Sequence, residues 1–463
     1  MKVKMKGLRF VALGLSSVMM TVMLGACAGQ DSKTVGKPGG EKVTIKVAYS
    51  AEEMDGNSKD IDEIFAEFYE NNPNIKVVVD QVASNDSKLM AMIAANNAPD
   101  ILRLTAVSDI PSFVSKGLLL PLDEYIEKSE NVDVDDLFEV GDLFKYDGKE
   151  VGKGVRYGAL KDWSLDTQMW ANKKVLAEAG VKLPEEGEAF SFQELAEATK
   201  KITKIGEGGQ AERIGFYTGQ SMFILLEWYL SQQGKSFWNE DFSGTTLLDS
   251  PETKEALQFF CDWHKSLGLT SLLAPIDSMQ GWMSDNKLGF TNSGFYLSFF
   301  MLGNENIKKN IGYENVVFLP SPVVEKGTRF SAVLSGTGGA ISAKTKHPEE
   351  AYKVWEYIHF GTPAKNRTRN LFGMPAQKSN VELLPLDNEY KQKVYDTLND
   401  EMQYYKNNAI RVNPYVSTQS IQALFEKYYF PVIYGESTLD EACATIDKEA
   451  RLLVEEGKKI VGE

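Results

Sequence analysis

Aromatic rings and polar side chains crowd one stretch of this chain: Trp163, Asp166, Gln168 and Trp170 fall together in the run WSLDTQMW. Groups of these types bind. A ring offers a flat apolar face, and an ionised carboxylate accepts charge-assisted hydrogen bonds from hydroxyl or amide donors. Rings are plentiful, with 7 Trp, 19 Tyr and 24 Phe. Those outside clean helical faces are Trp163, Trp170, Trp238, Trp282, Phe295 and Tyr415, while Trp228 fits a site or a core equally well. Trp263 and Trp355 sit on apolar helix faces and are assigned to the core. The polar candidates are Glu53, Asp86, Asp109 and Asp166, and Gly336 opens a glycine run where a backbone or a ligand can approach closely. For each polar residue the competing reading is a solvated loop or a helix cap, and for each ring it is a place in the core.

Reactive constellations are harder to find. The three histidines, 264, 347 and 359, have no metal-ligand spacing, and G-x-S-x-G does not occur. The run Gly336 to Gly339 is not followed by Lys-Ser/Thr, so it is not a phosphate loop. No catalytic residue, metal ligand or cofactor is assigned. Paired carboxylates of the glycosidase kind are not excluded by inspection.

The elements that must position these groups follow from periodicity. Val43 to Tyr49 alternates as a strand, a helix from Asn57 carries Ile61, Ile64, Phe65 and Phe68 on one face, and Ile75 to Val82 is a second strand. A helix with Leu89, Met92 and Ile93 precedes a third strand, Ile101 to Thr105. Strands alternating with helices predict an α/β lobe with a mostly parallel sheet. Ligands of such sheets sit at the carboxyl ends of strands, which selects the loops holding Glu53, Asp86 and Asp109. Further along, Ser191 with Glu194 forms a capping box before a helix from Phe192, and Ser250-Pro251 opens another. Pro348 to Phe360, Pro414 to Tyr429 and Thr438 to Glu455 complete the helices. At 463 residues the chain has room for two lobes with proper cores.

The N-terminus carries an address. Lys2, Lys4, Lys6 and Arg9 precede an apolar run to Leu24, then Gly25-Ala26-Cys27. The run is too short for a stable span and reads as a signal peptide, 1–26, ending in a lipobox with lipid on the Cys27 thiol. Residues 27–41 form a flexible tether. Loss of 1–26 removes four positive charges and takes the net charge from −15 to −19. Such a chain gets no electrostatic help toward nucleic acid or an anionic membrane surface, so the membrane tie is the lipid. Cys261 and Cys443 read as buried thiols, with a bridge between them left open.

The order of motifs resembles the family 1 extracellular solute-binding proteins of ABC importers. The resemblance rests on NPNIKV, AANNAPDI and FVSKGLLLPLDEYI, on the Asn172-Lys173 block, and on LDSPE and GMPAQKS, and it spans roughly Val43 to Leu453. Phe192 and Ala171 depart from the usual Trp and Tyr. It implies a two-lobed periplasmic-binding-protein-like fold, each lobe a mostly parallel sheet flanked by helices. The first lobe is 42–160 plus about 330–378 and the second 161–329 plus about 379–463. It further implies a monomer that binds a carbohydrate between the lobes by hinge closure and hands it to a membrane permease. The ligand would meet Glu53, Asp86, Asp109, Trp163, Asp166, Trp228, Trp282, Phe295, Gly336 and Tyr415. The alternatives are a lipid-anchored carbohydrate-active enzyme and a surface binder of a non-sugar solute.

Overall fold

Two five-stranded sheets organise the computed structural model, which describes residues 42–56, 60–80, 87–267, 278–325, 329–407 and 409–462. The first sheet has the order Ile75–Val79, Val43–Val47, Ile101–Thr105, Thr337–Ile341, Gly158–Leu160. Its first three strands are parallel, and Thr337–Ile341 runs antiparallel to both of its neighbours. Ile45 and Val47 point into the core with no exposure, as the alternation requires. The returning strand explains the glycine run. A Cβ on Gly339 would stand 2.6 Å from His359 Cε1 and 2.8 Å from the Tyr49 hydroxyl. Gly339 therefore lets the helix Pro348–Phe360 lie close on the sheet, and Trp355 Nε1 donates to the Gly339 carbonyl at 2.8 Å. His359 beneath it meets the Tyr49 hydroxyl at 3.2 Å, and burial lowers its pKa to about 3, so it is a neutral core histidine.

The second sheet has the order Val316–Leu319, Met169–Asn172, Leu288–Asn292, Ala211–Thr218, Lys204–Ile205. Leu288–Asn292 is buried along its whole length, parallel to Ala211–Thr218 and antiparallel to Met169–Asn172. Helices flank it. Phe192–Ile202 begins with the expected Ser191/Glu194 capping box, and Pro251–Ser266 with Ser250 and Pro251. Leu439–Val461 begins with the Thr438/Glu441 box and runs past the expected end to a left-handed Gly462.

Two helix starts differ from expectation, each because a local cap intervenes. The helix expected from Asn57 begins at Ile61, where Asp60 accepts from Asp62 N at 2.9 Å; residues 57–59 lie outside the described residues. The helix expected from Pro414 begins at Thr418, because Asn413 Oδ1 takes the Tyr415 N–H at 2.9 Å and Ser417 then caps. Cys261 and Cys443 are buried and unbridged. Among the described residues no helix is long and apolar enough to cross a membrane.

Candidate functional site

A cavity of about 350 Å³ opens where the two sheets face each other. Its floor is the segment after Gly158–Leu160, where the chain leaves the first sheet, and it carries Lys161, Asp162, Trp163, Ser164 and Asp166. One wall is Glu53, Arg103, Gly336 and Thr337 from the first sheet and its loops; the other is Gly219, Asn292, Ser293 and Tyr296, beyond strands of the second. Strands Gly158–Leu160, Ala211–Thr218 and Leu288–Asn292 all present their carboxyl ends here, as the rule for open α/β sheets anticipates. A larger groove of about 840 Å³, lined by Glu67, Lys353, Glu356 and Arg369 among others, lies elsewhere and holds none of the candidate residues.

Of the residues singled out in sequence, Glu53, Trp163, Asp166 and Gly336 come together in this cavity although they are dispersed along the chain. Glu53 is held twice. Its Oε2 closes a capping box with Ser50, and its Oε1 takes Arg103 Nε at 2.7 Å. Burial works against its charge, yet Arg103 outweighs it and keeps the pKa below the usual range. Trp163 is 1% exposed, with Nε1 donating to the Pro375 carbonyl at 2.8 Å and its ring edge-on to Phe138, so it forms a wall from behind. Asp166 Oδ2 accepts from Leu334 N at 2.9 Å and from Ser335 N and Oγ at 3.0 Å each, stapling the outgoing crossing segment to the return crossing. Burial nonetheless raises its pKa to about 6. Gly336, at φ +65°, takes a backbone shape that side chains rarely adopt.

The other candidates are placed elsewhere, each for a packing reason. Asp109 is fully buried, accepting from Thr105 N at 2.8 Å and Ser108 Oγ at 2.8 Å at the start of the helix Ala106–Ser115. Trp228 is 1% exposed in the core, edge-on to Phe192. Trp282 packs partly buried on the second lobe with Lys287 over its ring. Phe295 is in the core with no exposure. Tyr415 packs against Gly457 with Lys458 over its ring. Asp86 lies outside the described residues.

Sequence reasoning passed over Arg103, Lys161, Asp162, Asn292, Tyr296 and Phe372, all of which line the cavity. Tyr296 takes the place expected of Phe295. Gly294 turns the chain with φ +57°, where a Cβ would stand 2.7 Å from the Leu165 carbonyl oxygen, and Tyr296 N then donates to Ser164 Oγ at 3.1 Å. Phe372 carries Lys161 Nζ 4.7 Å from its ring centroid and stacks on Phe299 at 5.4 Å. Lys161 and Asp162 approach to 3.0 Å as an ion pair without hydrogen-bond alignment. The adjacent TNSGFY run was the one available signal for Asn292 and Tyr296.

The arrangement offers rings, carboxylates and an amide to a solute enclosed between two lobes. Known proteins resemble the chain in sequence and fold. The family described as bacterial extracellular solute-binding protein matches residues 53–367. An arabinooligosaccharide-binding protein of Halalkalibacterium halodurans is 24% identical over 340 residues, 72% of this chain and 68% of its own. An ABC substrate-binding protein from Listeria monocytogenes, solved in complex with cycloalternan, superposes with a TM-score of 0.68 at 22% identity, covering 90% of this chain and 99% of its own. The sugar-binding protein MalE from Xanthomonas citri superposes at 0.65 and 18% identity, covering 90% and 99%.

Proposed function

The chain belongs to the bacterial extracellular solute-binding protein family, and from that premise we propose that it captures a carbohydrate, an oligosaccharide, for an ABC importer. The observation that carries this reading is the cavity between the sheets, which gathers Glu53, Trp163, Asp166 and Gly336 with the ring of Tyr296 and the amide of Asn292. Rings stack on the C–H faces of a sugar, and carboxylate and amide bond its hydroxyls. The sugar and oligosaccharide ligands of the relatives support it.

The two lobes, 42–160 with about 330–378 and 161–329 with about 379–463, act as jaws. A solute touching both binds the closed form more tightly and shifts the population toward it. The closed form docks on a membrane permease, and no bond is made or broken. Lipid on Cys27 holds the monomer at the outer face of the cytoplasmic membrane.

Thermal melting of the full-length protein in detergent tests this. The panel is arabinotriose, maltotriose, mannotriose, cycloalternan, tagatose and mannitol, with chromatography of each mixture. A solute at about a hundred times its Kd stabilises the fold by roughly 2.7 kcal/mol. One sugar that raises the midpoint and is recovered intact supports the reading. No shift across the panel removes the carbohydrate assignment, and cleavage products replace transport with an enzyme.

A further inference from the structure

Most polar groups around the cavity are already matched within the chain. Glu53 holds Arg103, and Asp162 Oδ2, though it has no hydrogen bond, has its charge balanced by Lys161 at 3.0 Å. Asp166 Oδ2 takes three donors, Ser164 Oγ accepts from Tyr296 N, and Ser293 Oγ meets Thr291 Oγ1 at 3.2 Å. Asn292 differs. It ends the strand Leu288–Asn292, lines the cavity and is 2% exposed, and neither Oδ1 nor Nδ2 has a hydrogen-bond partner within the protein. Buried polar atoms are nearly always paired, and leaving both ends of an amide unpaired is costly to the fold. Such a group persists where a molecule from outside completes it.

Building on the carbohydrate reading, we infer that Asn292 is a specificity-determining residue of the cavity and that it selects an uncharged solute bearing two adjacent hydroxyls. The amide sets an acceptor and a donor on one carbon. Oδ1 accepts from one hydroxyl while Nδ2 donates to the oxygen of its neighbour, a match for two gauche hydroxyls on a sugar ring. A ring lacking either hydroxyl leaves one amide atom unpaired, and sites built to bond a hydroxyl discriminate strongly against analogues without it. The charge pairing decides the second part. The cations Arg103 and Lys161 each face a carboxylate, so a sugar acid has to break an ion pair or bury its charge alone. The exposed ring of Tyr296 completes the site with an apolar face.

The test uses the full-length protein and two variants, Asn292→Leu, which keeps the branching but removes both polar atoms, and Asn292→Asp, which keeps the shape but loses the donor and adds a charge. Each is melted without sugar and titrated calorimetrically with the panel sugar that most stabilises the wild type and with its uronic acid. The expected result has three parts. Asn292→Leu melts no lower than wild type without sugar, because no internal bond is lost. Its Kd for the panel sugar rises roughly tenfold or more. Wild type binds the uronic acid more weakly than the neutral sugar. Equal Kd for wild type and both variants overturns this inference while leaving sugar binding intact, as does a uronic acid bound as tightly as the neutral sugar. A hydrogen-bond partner for Asn292 Oδ1 or Nδ2 inside the protein, seen in a crystal structure of the sugar-free wild type, overturns it too. A panel on which wild type shows no binding removes the carbohydrate reading itself, together with the selectivity inferred from it.

Discussion

Asp166 sits under the cavity with its charge opposed by burial, and that opposition has a measurable sign. Its pKa rises from 3.8 to about 6 in the fold. A raised acid binds its proton more tightly folded than unfolded. The stabilisation this brings is therefore complete below the ordinary value, 3.8, and is lost as pH climbs through about 6. About two pKa units correspond to roughly 3 kcal/mol. The perturbation is Asp166→Asn, which is neutral at every pH and keeps an oxygen for Leu334 N and Ser335 N. Loss of the charge-assisted bonds from three donors offsets part of the gain at any single pH. The change with pH is independent of that offset. The unfolding free energy of the variant minus that of wild type should grow by roughly 2.5 kcal/mol between about pH 4 and about pH 7.5. Chemical denaturation across that range, followed by tryptophan fluorescence, reads it, and other titrating groups cancel in the difference. A flat difference refutes the reasoning. So does one that shrinks as pH rises, because the carboxylate would then be held ionised by its three donors more strongly than burial opposes it.

Three further outcomes are expected. Trp228→Ala empties a buried site beside Phe192 and should destabilise by about 3–5 kcal/mol in thermal melting, with the sugar Kd of the folded fraction unchanged. Glu227 is buried among Phe237 N, Ser236 Oγ and Arg411 N, and burial raises its pKa to about 7 from 4.5, so Glu227→Gln should flatten the loss of stability that wild type shows as pH rises between those values. Cys27→Ala should move the protein from the membrane fraction to the soluble fraction of lysed or washed cells, and retention on the membrane would remove the lipid anchor.

What was legible in the sequence was what is local. The Ser191/Glu194 and Thr438/Glu441 boxes, the strand Ile101–Thr105 and the helix Pro348–Phe360 are set by neighbours within a turn or by a short apolar period, and the structure has each of them. Trp228 was ambiguous for a physical reason. Its helix, MFILLEWYLS, is apolar nearly all round, so the period marks no inner face. Phe295 and Tyr296 are adjacent rings, and which one enters the cavity depends on the turn at Gly294, where any Cβ would run into Ser164 Oγ and the distant carbonyl of Leu165. That contact leaves no trace in residue spacing.

Glu53 shows why residue type alone misranks a site. A cap and a ligand contact looked like competing readings, and in the structure its two oxygens are both occupied, one by the cap and one by Arg103. Asp109 is likewise taken by Thr105 and Ser108. Capacity to bond a solute is what remains after such internal pairings are made. The pairings of Glu53 with Arg103 and of Asp166 with Ser335 span long separations, so they are unreadable until the chain is folded. Once they are made, the order of the candidates changes. Asn292, with two unpaired amide atoms, stands ahead of Glu53, and Asp166, whose bonds to Leu334 and Ser335 all fall on Oδ2, stands ahead of Asp109. The sequence analysis assigns no strand to Leu288–Asn292, so nothing there sets Asn292 apart, and only its missing partners at the end of that buried strand mark it as a contact for something else.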